Sequence, residues 1–532
     1  MGKFNTVSAN PNKTLNYEGT EAYRLSPPEL ELYARCATSL LSPHFYEKSG
    51  GSDFSINKII QTAERCTDYD FISCLAVYLR NEMYLRSVSC LLVAYLALKQ
   101  KLKKEIVPLV SLRADDIKEI IAAYRYLKNR TKDKSIPTLP NSLKKGLARA
   151  FSYRLTPGKM GIRGEYEFRK YNRGGREDIT FLDVMRLVHP KPHNKFQSEV
   201  FAKIKNNALA PVETWETMIS AAGSDPDKKR EAWEKLISED KLGYMAMLRN
   251  LNNMLKAGVD KKLLVKVLYR LGDDKEIATA RQLPYRYLSA IRTLTSIADL
   301  PKYAIVLPMI KQTLGYALKK SMDNTDWTAM FKGKEVLVAC DISGSMRDPI
   351  SEMSRVQLID VAATLSATFA SHIELCNVEL FATRNKRLLK EEQPTTLIEN
   401  ILSTNLGGST EAHKVLRGLV FDDPVRYDYV VFFTDCQIWS MKTLFSFDPH
   451  FNAFRENWNK YKQVNPKAKL IIFDLAGYGN APINGLRPDV TVVSGWSDKT
   501  FDVLSQVESL DMVKAIKAYG SLKVSNTSEM MI

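Results

Sequence analysis

A chain of 532 residues exceeds what one hydrophobic core serves, so two to four domains are expected. Its composition, 45% apolar and 26% charged, excludes long disorder, and no run of about 18 uncharged apolar residues is present to span a membrane. The formal charge of +16 is confined to one part: residues 1–330 hold 54 Lys and Arg against 36 Asp and Glu, residues 101–200 alone hold 23 against 11, and residues 331–532 hold 22 against 24.

An excess held in one region points to a polyanion partner for that region; a solvated, Lys-rich helical surface is the plainer alternative. The N-terminus, MGKFNTVSANPNKT, lacks the apolar core of a secretory signal. Gly2 and Thr6 match a myristoylation signal only loosely, and an ordinary start is the simpler reading. The seven cysteines are Cys36, Cys66, Cys74, Cys90, Cys340, Cys376 and Cys436. An odd number with no CxxC pair, mostly inside apolar runs, reads as buried thiols in a reducing compartment, not a disulfide frame or zinc site. The expected location is cytoplasmic, with no membrane partner.

From about residue 20 to 322 the chain reads as successive amphipathic helices. Helical patterns cover roughly 28–41 and 54–67, and Val88, Leu91, Leu92 and Tyr95 make a stripe in 86–99. Ile117, Ile120, Ile121, Tyr124 and Leu127 recur at the same spacing in 115–130, with Asp115 and Asp116 at the start, where negative charge suits the helix dipole. Pro140 and Asn141 open a helix with Leu143, Leu147, Ala150 and Phe151 on its apolar face. Further patterns cover 212–222, then Leu242, Met245, Leu248, Leu251 and Leu255 ended by Gly258, then 260–271 and 283–322. Nothing alternates at period two. Many helices with short links suggest stacked pairs of the HEAT or armadillo kind, against a compact irregular helical domain.

The pattern changes near residue 331. Val336–Cys340, Tyr429–Phe433, Leu470–Phe473 and Val490–Val493 are continuous apolar runs, three of them ending at or just before an aspartate: Asp341, Asp435 and Asp474. Ile373–Phe381 adds a fifth strand, and helical stretches fall at about 354–370, 410–419, 453–462 and 500–518. Unbroken apolar strands alternating with helices predict a parallel sheet covered on both faces, a doubly wound, Rossmann-like α/β domain.

Ligands of such sheets bind beyond the carboxyl ends of the strands. There the sequence sets Asp341-Ile-Ser343-Gly-Ser345, one carboxylate and two hydroxyls alternating along a turn. Gly407-Gly408-Ser409-Thr410 offers the Thr410 hydroxyl, and Asp435 follows a second buried strand. Two carboxylates and three hydroxyls are all oxygen donors, a set for a hard divalent cation, Mg²⁺ first, rather than zinc or copper. The bland alternative is a group of helix caps and turn residues. The order of the three pieces is similar to the metal-ion-dependent adhesion site of von Willebrand factor A domains. The match places Asp341, Ser343, Ser345, Thr410 and Asp435 at its five positions, with Thr404 a rival for the threonine. No lysine motif accompanies the aspartate, and His44, His372, His413 and His450 are scattered, so an enzyme is not expected.

Two blocks make a second resemblance. LKKGLARAF and EYEFRKYNRGGREDITFLDVMRLVHPKP lie in 142–192, and WEKLISEDKLGYMAMLRNLNNMLKAGV fills 233–259. Both resemble the TROVE module of the Ro autoantigen family, which also precedes a von Willebrand factor A domain. An animal-type EGGTYY-like segment is replaced here by Ser42-Pro-His-Phe-Tyr46-Glu, so the chain resembles a divergent bacterial or phage member. The resemblance implies an all-α HEAT-like helical-repeat ring at 16–330, a von Willebrand factor A domain at 331–518 and a C-terminal tail at 519–532. It implies a monomeric scaffold in noncoding RNA quality control. Single-stranded 3′ ends of misfolded RNA enter the hole of the ring, and Y-type stem-loop RNA binds its basic outer surface. The family's Y RNA contacts fall on Lys170, Arg173 and His189, with Arg169 and Arg176 nearby.

The residues agree in part. Lys159, Arg163, Arg169, Lys170, Arg173 and Arg176 are interleaved with Tyr166 and Tyr171, cations for phosphates and rings for bases. His189, before Pro190, is expected to be extended. Arg249 and Asn250 line the hole or pair with a neighbouring helix. The rival function is a metal-dependent protein-binding adaptor, which leaves the charge asymmetry unexplained. Both roles combine if the metal site recruits a protein such as an exoribonuclease.

Overall fold

The structure is a computed structural model that describes residues 13–16, 18–37, 52–131, 138–154, 164–172, 179–209, 214–282, 284–294, 306–323, 327–350, 356–389, 391, 393–439, 452–485, 487–494 and 512–530. The chain divides into two compact units, Ser39–Thr217 with Leu510–Ile532, and Met1–Thr38 with Met218–Ser509.

The described part of the first unit is helical. Helix Ser87–Leu98 is buried from Ser87 to Ala97, because its sequence is apolar all round and it sits between Tyr69–Asn81 and Ala114–Arg130. Asp116, expected to favour a helix start, accepts from the Arg113 backbone N–H at 2.9 Å. It also pairs with Arg80 at 3.0 Å, and Arg86 reaches Asp115 at 2.6 Å and Glu119 at 2.8 Å. Phe151, on helix Asn141–Arg154, meets Phe168 at 4.5 Å and Phe201 at 5.5 Å between ring centroids, and Phe168 meets Phe181 at 4.6 Å. These rings anchor three short helices, Gly164–Lys170, Phe181–Val188 and Lys195–Lys205.

The tail expected at 519–532 is instead part of a helix, Met512–Met530, packed on Tyr69–Asn81. Gly520 lies so close to Cys74 that a Cβ there would come within 2.4 Å of the Cys74 Cβ. Tyr519 meets Tyr78 edge-on at 5.6 Å, and Lys517 pairs with Asp68 at 2.7 Å. The contact needs glycine, which the sequence pattern alone reads as a helix weakener.

The second unit joins helices Pro226–Ser238, Tyr244–Ala257, Lys261–Leu271, Asp274–Ala280, Pro284–Thr293 and Val306–Lys320 to an α/β domain. Gly258 ends Tyr244–Ala257 at φ 79°, in the left-handed region where glycine carries no Cβ penalty. The domain expected at 16–330 is therefore divided, and its first residues belong with the α/β part. Strands β1 (Lys13–Leu15) and β2 (Glu21–Arg24) form a hairpin, and β2 falls at the start of the stretch expected to be helical. β2 pairs with a two-residue strand late in the chain, Asn480–Ala481. Asn16 Nδ2 donates to the Ile438 carbonyl at 2.7 Å, and Tyr33 on helix Pro28–Ala37 donates to the Ser494 carbonyl at 3.2 Å. These strands are too short to show alternation; long-range pairing makes them.

The main sheet holds β3 (Val336–Asp341), β4 (Cys376–Phe381), β5 (Asn385–Leu388), β6 (Tyr429–Thr434), β7 (Lys469–Asp474) and, numbering Asn480–Ala481 as β8, β9 (Val490–Ser494). Their order is β5-β4-β3-β6-β7-β9, parallel except for the antiparallel edge strand β5. Leu337, Ala339, Val430 and Phe432 pack with Val415, Leu416, Phe454 and Trp458 of helices His413–Phe421 and Ala453–Val464. Phe433 meets Phe369 of helix Leu358–His372 at 6.0 Å. Cover on both faces explains the unbroken apolar runs. The multidomain fold of helical repeats plus a doubly wound α/β domain is the one the sequence predicts. All seven cysteines are buried and unbridged. Among the described residues, no helix is long and apolar enough to cross a membrane.

Candidate metal centre and nucleic-acid surface

The strand order reverses between β3 and β6, because β3 leads to β4 on one side while β6 lies on the other. A crevice opens at the carboxyl ends of strands at such a switch point. Asp341 ends β3 and Asp435 follows β6, and both are fully buried. Asp341 Oδ1 accepts from the Ser343 N–H at 2.9 Å, which folds the DxSxS turn back on its own carboxylate. Its Oδ2 accepts from Thr434 Oγ1 at 2.6 Å. The Ser343 and Ser345 hydroxyls are 3.4 Å apart. Gly344 donates its N–H to the Gly408 carbonyl at 2.8 Å, and a Cβ at Gly344 would meet that oxygen at 3.2 Å. The DxSxS turn and the GGST loop are thus joined backbone to backbone. Thr410 is buried, and its carbonyl accepts from the Trp439 N–H at 2.9 Å. Thr404 lies apart, donating its hydroxyl to the Asn400 carbonyl at 2.7 Å as its helix ends.

Asp435 Oδ1 accepts from the Gln437 N–H at 2.9 Å, while its Oδ2 is buried with no hydrogen-bond partner. Burial, then the nearby Asp435 charge, pushes the Asp341 carboxyl up to about 7. Burial raises Asp435 as well, against the Gln437 N–H and the Ser345 hydroxyl, which favour its charged form. Two buried carboxylates, one raised by the charge of the other and that other with an orphan oxygen, are what a bound cation would relieve. The residues fit a hard cation: their donors are all oxygen and one buried oxygen is unused.

Two contributors escaped the sequence reading. Thr434 fixes Asp341, and its signal was the Thr-Asp pair ending β6. Asp474 ends β7 in register with Thr434, accepts from the Gly477 N–H at 2.8 Å and the Ala476 N–H at 3.1 Å, and leaves Oδ2 unpartnered. Burial pushes it up to about 7. Its signal was the third strand ending in aspartate. A different cluster, Cys90, Asp116 and Glu119, has metal-like spacing. Arg86 already pairs with both of its carboxylates, so that cluster is a buried ion-pair network.

In the first unit, Lys170 and Arg169 close the helix Gly164–Lys170, both half-buried. Lys170 pairs with Glu216 at 3.4 Å and lies 5.6 Å from the centre of the Tyr171 ring. Tyr171 is not a free stacking ring, because its face carries the Arg113 guanidinium at 4.6 Å and its hydroxyl bonds the same group. Tyr166 is 36% exposed, and the Lys170 ammonium lies 6.0 Å from the centre of its ring. Arg173 and Arg176, with Lys159 and Arg163, lie outside the described residues. His189 is exposed, but it is not extended: φ 48° and ψ 58° make it the left-handed cap of helix Phe181–Val188, its N–H donating to Met185 at 2.9 Å. A following proline disfavours the right-handed helical region, and the capping bond selects the left-handed one over the extended one. In the second unit, Arg249 is exposed without a carboxylate partner among the described residues, while Asn250 is buried and bonds the Ala246 carbonyl at 3.0 Å.

Residues 205–331 match the TROVE domain family. Over 78 residues, 15% of this chain, the sequence is 44% identical to Telomerase protein component 1 of Mus musculus and 42% identical to that of Rattus norvegicus. The chain spans only 3% of the length of these curated relatives. The fold is similar to the crystal structure of the Deinococcus radiodurans RO (RSR) protein, at a TM-score of 0.55 and 15% identity, covering 91% of this chain and 100% of that one.

Proposed function

We propose, from the premise that the chain belongs to the Ro family and carries its TROVE domain, that it is an RNA-binding scaffold with no chemical step of its own. The observation that carries this reading is the charge: residues 1–330 hold 54 cationic against 36 anionic side chains, and residues 331–532 do not share the excess. Exposed Arg249, half-buried Arg169 and the exposed Tyr166 ring supply phosphate and base contacts. In this reading, single-stranded 3′ ends of misfolded noncoding RNA enter the opening of the helical ring that the family resemblance implies. Y-type stem-loop RNA binds outside, on Lys170, Arg173 and His189, with Arg169 and Arg176.

Asp341, Ser343, Ser345, Thr410 and Asp435 would hold a divalent cation, Mg²⁺ by its preference for oxygen. When bound, the ion supplies an electrophilic position for a partner's carboxylate. The orphan Oδ2 of Asp435 supports this, and an exoribonuclease is one partner that would suit it. The protein acts as a cytoplasmic monomer in this account.

A gel-shift series tests the RNA reading. A structured RNA with a single-stranded 3′ tail should bind more tightly than the same RNA without it. Lys170→Ala with Arg173→Ala should weaken stem-loop binding, and affinity should fall steeply with salt as counterions are released. Equal binding of both RNAs, insensitive to salt, would leave the metal-dependent protein adaptor as the better account.

A further inference from the structure

An open cavity of about 580 Å³ lies on the α/β domain, lined by Arg384, Asn385 and Lys386 of the β4–β5 hairpin and Ser403–Leu406 of the loop leading to Thr410. Among the described residues, no acidic side chain lines it. Arg384 and Lys386 are exposed and have no carboxylate partner among the described residues. Their neighbour Arg387 is different, being held by Glu379 at 2.8 Å and Asp423 at 2.6 Å. The domain has thus neutralised one hairpin cation and left two facing a hollow.

The cavity is built into the frame of the metal centre. Arg384 donates its backbone N–H to the Leu406 carbonyl at 3.1 Å. Thr383 Oγ1 lies 2.8 Å from Ser409 Oγ, and the Ser409 N–H donates to it at 3.2 Å. Gly407, at φ 102°, passes so close to Thr383 that a Cβ would come within 2.4 Å of its hydroxyl. The loop between Ser403 and Thr410 is therefore clamped on one side by the hairpin and on the other by the Gly344–Gly408 bond.

We propose that this cavity is a docking subsite for an extended acidic segment of a partner protein, its carboxylates taken by Arg384 and Lys386. Charge selects a peptide over RNA. Residues 331–532 carry 22 cationic against 24 anionic side chains, so attraction is confined to the two local cations, which suits a short acidic segment better than a long nucleic-acid strand. The described lining residues include no aromatic ring on which a base would stack. Among the described residues β5 is the outer strand of the sheet, and Leu389 just after it is 86% exposed, so an extended peptide finds an edge strand and an apolar contact beside the cations.

The test uses the full chain and fluorescein-labelled hexaglutamate, with excess oligouridylate present to fill the basic helical surface. Anisotropy should show binding that Arg384→Glu with Lys386→Glu weakens about tenfold or more, near 1.4 kcal/mol per factor of ten. Carbodiimide should couple the peptide to Lys386, as read by mass spectrometry. Unchanged affinity in the double variant overturns the proposal. So does loss of the peptide as oligouridylate is raised, which would make the occupant a nucleic acid or place the peptide on the helical surface. The double variant's gel shifts and Mg²⁺ response report separately on the RNA and metal readings, since neither residue belongs to those sites.

Discussion

Thr434 donates its hydroxyl to Asp341 Oδ2 at 2.6 Å, across the two strands where the order of the sheet reverses. With the Ser343 N–H on Oδ1, both oxygens of Asp341 are held by the protein. Asp435, on the far side of the same junction, keeps one oxygen unused. One carboxylate is preset and the other waits, an arrangement that favours a cation arriving from outside.

Asp435→Asn should therefore have opposite effects with and without metal. In Mg²⁺-free buffer it removes one of two buried charges that repel, so thermal unfolding should move up. Mg²⁺ at about a hundred times its dissociation constant should stabilise the parent by about 2.7 kcal/mol and the variant not at all. A preserved Mg²⁺ response in the variant would remove Asp435 from the centre.

Asp341 and Asp474 contribute a falling limb to the pH dependence of the metal-free protein. Each is pushed up to about 7 when folded, against an ordinary value of 3.8. Between those values the folded state holds protons that the unfolded chain has released. Stability should thus fall as pH rises from about 4 to about 7, by at most about 1.4 kcal/mol per unit for each proton, and level off above. Mg²⁺ competes with those protons, so its stabilisation should grow over the same window. Chemical unfolding at several pH values checks this, and Asp474→Asn should flatten the metal-free slope. A slope unchanged by that substitution would show Asp474 to be ionised throughout.

The strands and the DxSxS turn were legible because their causes are local: a strand covered on both faces must be apolar throughout, and its end must be a turn. Thr434 and Asp474 were harder, since their roles depend on which strands become neighbours. Glu21–Arg24, expected to be helical, is a strand for the same reason; the partners of the Lys13–Arg24 hairpin are Asn480–Ala481 and residues near 438 and 452. Tyr171 looked like a stacking ring until Arg113, 58 residues away in sequence, occupied it. Side-chain partners distant in sequence leave no periodic trace.

A phosphate must share Lys170 with Glu216, 3.4 Å away. Glu216→Gln keeps the shape and releases the cation. Stem-loop RNA should bind the variant a few-fold more tightly, with the salt dependence steeper by about one phosphate contact. Filter binding at several salt concentrations measures both. Identical slopes would mean that Lys170 serves the fold and not the RNA.

His189 holds two candidate roles that glycine separates. Its φ of 48° costs a side-chain-bearing residue roughly 1 kcal/mol, which glycine does not incur. As a cap alone, His189→Gly should leave the urea midpoint unchanged or raise it, and should leave stem-loop RNA binding intact. As an RNA contact, the same stable variant should lose affinity, and His189→Ala should lose it to the same degree. The imidazole is exposed and its backbone N–H, not its ring, makes the capping bond. The backbone bond survives either substitution, so a loss of RNA binding without a loss of stability must come from the ring.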